Sequence, residues 1–244
     1  MDTHILIIVY TTFFAAAFIK GLTGLGFVTI CLPVIAIYIK LEQAIPLVVL
    51  PSVLSNVMVI YQTGRLRQSL RRFWLLYISA FPGIYAGVLI LNMVGNYAAK
   101  IILGVVSIAY SLLLLLKIEL SIPEKNERIL SVPIGLTNGF LNGLTGTQII
   151  PMLPYLLSLR LDRDGIINAI NVGFTLSITV LLIIFGKFNL ISFEILKYSI
   201  LGAIPVAAGI YLGGKLRHKI SEEKFKLAIL FLLIIIGANL ILNA

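Results

Sequence analysis

The sequence predicts an all-α integral membrane protein, a polytopic bundle of about 8 (8–10) hydrophobic segments built from two inverted repeats with glycine-rich helix breaks. Composition is the first reason. Hydrophobic residues fill 59% of the 244 positions and charged residues only 12%, with a mean hydropathy of +1.06. A soluble domain carries about 25% charged residues, enough polar surface to cover its core. Here hydrocarbon must be the solvent for most of the surface. Spacing is the second reason, because apolar runs recur down the chain between short stretches of charge, Gly or Pro. Internal duplication is the third. Lys20-Gly21-Leu22-Thr23-Gly24 returns as Asn142-Gly143-Leu144-Thr145-Gly146, identical at four of five positions.

The first repeat, 1–120, opens with an apolar run from Ile5 to about Lys20 and the segment Gly21 to Gly26. A short run follows, Phe27 to Ile39, then Ala44 to Tyr61, the basic stretch Arg65 to Arg72, and runs at Phe73–Met93 and Ala98–Leu116. A polar cytoplasmic linker, 121–128, closes a charged stretch that begins at Lys117. The second repeat, 129–244, keeps the order: Leu130–Leu141, the segment Asn142 to Gln148, a short run Ile149–Leu159, then Ile166–Phe185, Phe193–Gly214, the basic stretch Lys215–Lys219, and Lys226–Leu242. Pro33 and Pro154 follow the two glycine segments at nearly equal distance, and Pro82 and Pro205 fall in corresponding later runs. These four read as helix breaks or hinges. Five segments per half is an odd number, and so is three if the short segments dip in and return. Either count inverts the second half relative to the first.

Charge gives the orientation. With the Arg65–Arg72 stretch inside and alternation thereafter, 14 Lys and Arg fall on the cytoplasmic side and 4 on the other, with Lys20 unassigned. Both termini are then extracytoplasmic. The net charge of +9 resides mainly in these connections, so no nucleic-acid partner is expected. Met1-Asp2-Thr3-His4 lacks a basic n-region, and the first run is read as retained rather than cleaved. One cysteine, Cys31, allows no internal disulfide. The two histidines lie at a terminus and in a basic stretch, and no carboxylate pair or metal-ligand cluster falls at membrane depth. Neither an enzyme nor a metal or cofactor is expected, and no buried carboxylate proton relay is visible.

The duplicated segments are the candidate substrate-binding site. Gly21, Gly24 and Gly26 interrupt a membrane helix where backbone can stay irregular only against protein or a wet cavity. Helices starting near Phe27 and near Gln148 would aim free N–H groups at the break and favour an anion. Thr23, Thr145, Thr147 and Gln148 can add donors, as can Lys20 and its counterpart Asn142. Each has a plainer reading. Gly-x-x-Gly with Gly143 and Gly146 can be a packing face, Lys20 can snorkel to an interface, and Asn56, Asn138, Asn168 and Asn171 can bond between helices or line a path.

Around these residues the chain resembles the TauE/SafE sulfite exporter family, also called TSUP. The resemblance rests on the two glycine segments, each followed by a short run and a proline. It also rests on the basic stretch before Phe73, Ile204-Pro205 to Gly209, and Gly213-Gly214-Lys215-Leu216. It implies a multi-pass permease of a prokaryotic inner (plasma) membrane for sulfite, an organosulfonate or a related sulfur or carboxylate anion. The chain departs from the family pattern at Gly26-Phe27 and at Thr147-Gln148, where glycines are usual. The expectation is a small anionic substrate, a lipid bilayer around the protein, homo-oligomers left open, and alternating access with the anion between the two turns. A channel-like anion pore and a non-transporting scaffold subunit are the alternatives.

Overall fold

The computed structural model describes residues 1–116, 122–188, 190–216 and 222–243. Part of the linker, 121 among it, and the end of the Lys215–Lys219 stretch lie outside the described residues. Ten helices and no strand occur among the described residues: α1 (Thr3–Thr23), α2 (Phe27–Tyr38), α3 (Leu41–Thr63), α4 (Leu66–Leu115), α5 (Glu124–Thr145), α6 (Met152–Leu157), α7 (Arg163–Lys187), α8 (Phe193–Leu201), α9 (Ala203–Leu216) and α10 (Glu222–Leu242). Five of the apolar stretches are long enough to cross a membrane, namely α1, α3, α4, α7 and the α8–α9 pair. At about 1.5 Å per residue, α2 covers about 18 Å and α6 about 9 Å, too little to cross about 30 Å of hydrocarbon.

Several boundaries move from the expected ones. The basic stretch is helical from Leu66, and α4 runs on through both later apolar runs, departing from helical angles only at Phe73 and Gly95. Pro82 lies inside this helix, away from both departures. The run Phe193–Gly214 instead divides at Gly202, so Pro205 falls in the first turn of α9, where its missing N–H costs nothing. Pro33 lies inside α2 and Pro154 in the single short helix α6.

Glycine sets how closely the helices approach. α1 lies on α9 and α5 on the first arm of α4 with backbones in contact. A Cβ on Gly21 would stand 2.5 Å from the Ile210 carbonyl oxygen and 2.9 Å from Gly214 N. One on Gly143 would meet the Ile84 carbonyl oxygen and Val88 N, and Gly139 against Ala80 is equally tight. The second arm of α4 meets α10 through Gly104 and Gly237. Without a hydrophobic drive between helices in lipid, such close van der Waals contact is what holds a bundle together.

The centre is a crossing of α3 and α7, the most buried of the long helices. Their chains run antiparallel, because Asn168, in the second turn of α7, donates to Thr63 Oγ1 (2.6 Å) and the Ile60 carbonyl (3.5 Å) at the end of α3. Ser69 at the start of α4 donates to the same Asn168.

Candidate functional site

Both glycine segments fold the same way locally. α1 ends on Gly24 at φ +85° and α5 on Gly146 at φ +75°, the left-handed cap that glycine adopts without strain. The cap N–H bonds the Lys20 carbonyl in one and the Asn142 carbonyl in the other, at 2.7 Å in both. Thr23 and Thr145 each return a hydroxyl to the carbonyl four residues earlier. The caps then seat reciprocally. Gly24 lies against Ile167 in the second turn of α7, and Gly146 against Ile45 in the second turn of α3.

That reciprocity separates the turns. Ile45 is near the start of α3, whereas Ile167 is level with its end, about 20 Å away along the helix. The two caps therefore sit at different levels of the α3–α7 crossing, and the second turn approaches the first through Gln148, whose amide bonds the Phe174 carbonyl.

Beyond the caps the halves diverge. Gly26 is the left-handed N-cap of α2, and the N–H groups of Phe27, Val28 and Thr29 precede the first bond of that helix, Ile30 N–H to Gly26. In the second half no helix starts near Gln148. Residues 147–149 stay irregular, and α6 begins only at Met152, because Pro151 disfavours helical angles at the residue before it. The expected pair of helix N-termini is thus a single one, on α2.

A small buried chamber lies at that N-terminus, walled by Lys20, Gly26 to Thr29, Ser52, Asn56, Asn171 and Phe174. Lys20 is 2% exposed. Its ammonium donates to Ser55 Oγ at 3.0 Å and to Asn56 Oδ1. Ser55 in turn donates to the Ser52 carbonyl (2.7 Å). Asn171 Nδ2 bridges the Gly24 carbonyl (3.1 Å) and the Ile167 carbonyl (2.8 Å), fixing the turn to α7. Three polar atoms of the wall have no partner: Ser52 Oγ, Asn56 Nδ2 and Asn171 Oδ1. Buried polar atoms normally find partners, and these three lie beside one ammonium and one helix N-terminus, where a polar ligand can bond them. The chamber has about 10 Å³ of free space, room for no more than one water.

Beside it opens a vestibule of about 430 Å³, which shares Leu25, Gly26 and Thr29 as a wall. The rest of its lining is mainly Ile and Leu from α1, α6, α7 and α10, with Thr23, Tyr110 and Arg163 as polar exceptions. It reaches the end of the bundle that carries Arg163. At that end Asp162, N-cap of α7, pairs with Arg65, whose hydrogen bond holds the carboxyl below the usual carboxylate range.

The remaining expected residues are buried elsewhere. Thr145 and Thr147 bond each other at 2.8 Å. Gln148 Nε2 donates to the Phe174 carbonyl (3.3 Å), which brings the second turn to the back of the chamber wall, while its Oε1 has no partner. Asn142, the counterpart of Lys20, is fully buried with both amide atoms unpartnered, and Asn138 Oδ1 is likewise unpartnered. Gly21 and Gly143 lie in the helix contacts described above. Ser52, Ser55, Thr29 and Phe174 were not singled out from sequence. The signal for the first two was present, since Ser52, Ser55 and Asn56 stand at i, i+3 and i+4 on one face of an apolar helix.

A family model described as Sulfite exporter TauE/SafE matches residues 9–240. None of the curated proteins and none of the solved structures matches the chain.

Proposed function

The chain belongs to the TauE/SafE sulfite exporter family, and from that premise we propose that it is a secondary transporter that holds a small sulfur or carboxylate anion where the vestibule meets the Lys20 chamber, at the wall of Leu25, Gly26 and Thr29 that the two share, the chamber widening as the anion enters. The family's members are membrane transporters of sulfur anions. The carrying observation is the wall itself: one ammonium, a free helix N-terminus, and two orphaned donors, Ser52 Oγ and Asn56 Nδ2. An oxyanion offers the acceptors these donors lack, and its charge answers both the ammonium and the positive end of the α2 dipole.

Halves 1–120 and 129–244 act as inverted repeats in this reading. The reciprocal seats of Gly24 on Ile167 and Gly146 on Ile45 support it, as does the Gly104–Gly237 contact between the last helices of the two halves. By the charge bias the vestibule opens to the cytoplasm of a prokaryotic cell, with the termini outside. The Thr145–Gln148 turn, buried behind the chamber wall, is its closed counterpart. Exchange of these two arrangements between the halves is alternating access. A continuous pore is disfavoured by a chamber this closed.

Counterflow tests the reading. Proteoliposomes preloaded with sulfite, sulfoacetate or methanesulfonate should accelerate uptake of the labelled anion, and Asn56→Leu should abolish that exchange in a protein of unchanged elution profile. Exchange at wild-type rate in Asn56→Leu removes the chamber, and uptake without trans-acceleration makes the protein a channel.

A further inference from the structure

Lys20 is an unbalanced charge. Its ammonium has two neutral side-chain acceptors, on Ser55 and Asn56, and the residue itself is 2% exposed. The ion pairs among the described residues are Met1 with Glu194, Arg65 with Asp162, and Arg72 with Glu127, all elsewhere.

Among the described residues, the elements packed around it bring no compensating charge. α2 brings the thiol of Cys31, which is fully buried. The carboxylate of α3, Glu42, stands in its first turn, at the other end from Asn56. Arg163 and Asp164 of α7 lie in its first turn, and Asn171 is what α7 adds to the wall. The cation of α9, Lys215, lies in its last turn over the Tyr211 ring at 4.3 Å.

A lone ammonium in such surroundings is relieved in one of two ways, by losing its proton or by gaining an anion. These alternatives are thermodynamically linked. Whatever raises anion occupancy must raise proton occupancy on the same nitrogen, and the reverse. We infer that Lys20 couples the anion to a proton, so that a singly charged anion and one proton enter the chamber together and cross without net charge. On the side where the chamber opens, the amine lone pair takes a proton from water as the anion binds. On the other side the anion leaves, the N–H bond breaks, and the proton returns to water. Nothing is oxidised or reduced, and no group is transferred. This gives a lysine the task that buried carboxylates perform in other proton-coupled carriers, and it rests on the anion site proposed above.

The test is calorimetric titration of the purified full chain with methanesulfonate, and with sulfite corrected for its own titration. Each is run in two buffers of different ionisation heat, so that the difference counts protons taken up. The wild type should take up close to one proton per anion at alkaline pH, and its affinity should fall about tenfold per pH unit there. Lys20→Arg, whose guanidinium does not titrate, should bind either anion with no proton uptake and little dependence on pH. Cys31→Ser should keep the wild-type proton count.

Wild-type binding without proton uptake overturns the coupling and leaves the anion site standing. Loss of uptake in Cys31→Ser assigns the proton to the thiol and overturns it as well. Binding of neither anion to the wild type removes the site, and the coupling with it. Should Lys20→Arg fail to fold, the wild-type and Cys31→Ser counts still decide.

Discussion

The two glycine turns are built alike and equipped differently. Their caps share a left-handed glycine, a 2.7 Å bond to the carbonyl four residues back and a seat on an isoleucine of the crossing pair. Past the cap, the first turn launches α2 beside a buried lysine, whereas the second continues irregularly to a six-residue helix and carries asparagine in the lysine's place. Backbone geometry is therefore the duplicated property, and electrostatics is the property that distinguishes the halves. The buried cation Lys20 stands beside one turn and the uncharged Asn142 beside the other.

The sharpest way to break the comparison is at its shared part. Gly21→Ala and Gly143→Ala each put a methyl against backbone of the neighbouring helix. Both should cost several kcal/mol, as overpacking against an immovable wall does, and both should lose monodisperse protein after detergent extraction. Tolerance of the methyl on one side only would show that the halves are not equally assembled.

The unshared part comes next. Asn171→Leu removes the bond from Nδ2 to the Gly24 carbonyl that holds the turn before α2 in place, and it should weaken anion binding at least about tenfold by displacing that helix N-terminus. Asn142→Leu removes two unpartnered amide atoms of similar volume. It should raise the melting temperature and leave affinity within about twofold, since an orphaned polar group costs more than its apolar replacement. Loss of binding in Asn142→Leu, with the fold intact, would give the second half a share of the site.

The smallest effect is at the ends of the crossing. The start of α7 is tied by the Arg65–Asp162 ion pair, and the start of α3 by a neutral bond from Leu41 N–H to Asn96 Oδ1 (2.8 Å). The Arg65 hydrogen bond lowers the Asp162 carboxyl below its unfolded value. Its contribution is therefore complete above about pH 4 and disappears as the pH falls through the lowered value. Asp162→Asn should flatten the melting curve's pH dependence below about pH 4 and change little at neutral pH. A large loss at pH 7 would mean that the pair does more than close a surface turn.

Much of this was readable beforehand, for identifiable reasons. Long apolar runs leave only the helix in lipid, so α1, α3 and α7 follow closely from composition. The left-handed caps follow from glycine at matching positions. Where the reading failed, a longer-range fact decided. Gln148 was expected near a helix start, but Pro151 defers the helix to Met152. Phe193–Gly214 read as one run, and the backbone divides it at Gly202. Lys20 was visible as a cation at the end of an apolar run, with snorkelling as an equal alternative. Only the approach of α3 shows that it turns inward to Ser55 and Asn56. Which polar residues meet depends on helix rotation, which a weakly amphipathic membrane helix hardly encodes in its sequence.

The glycine contacts between α1 and α9 have a consequence for movement. Helices joined backbone to backbone slide poorly past one another, so whatever displaces α1 must carry α9 with it. Lys20 rides on that coupled rod. Asn56 rides on α3, which has no glycine at all, and its partner α7 packs on it through side chains. The bond from Lys20 to Asn56 thus spans the joint between a stiff part and a looser one. An anion seated there would be both cargo and fastener, and its departure would free the joint to open.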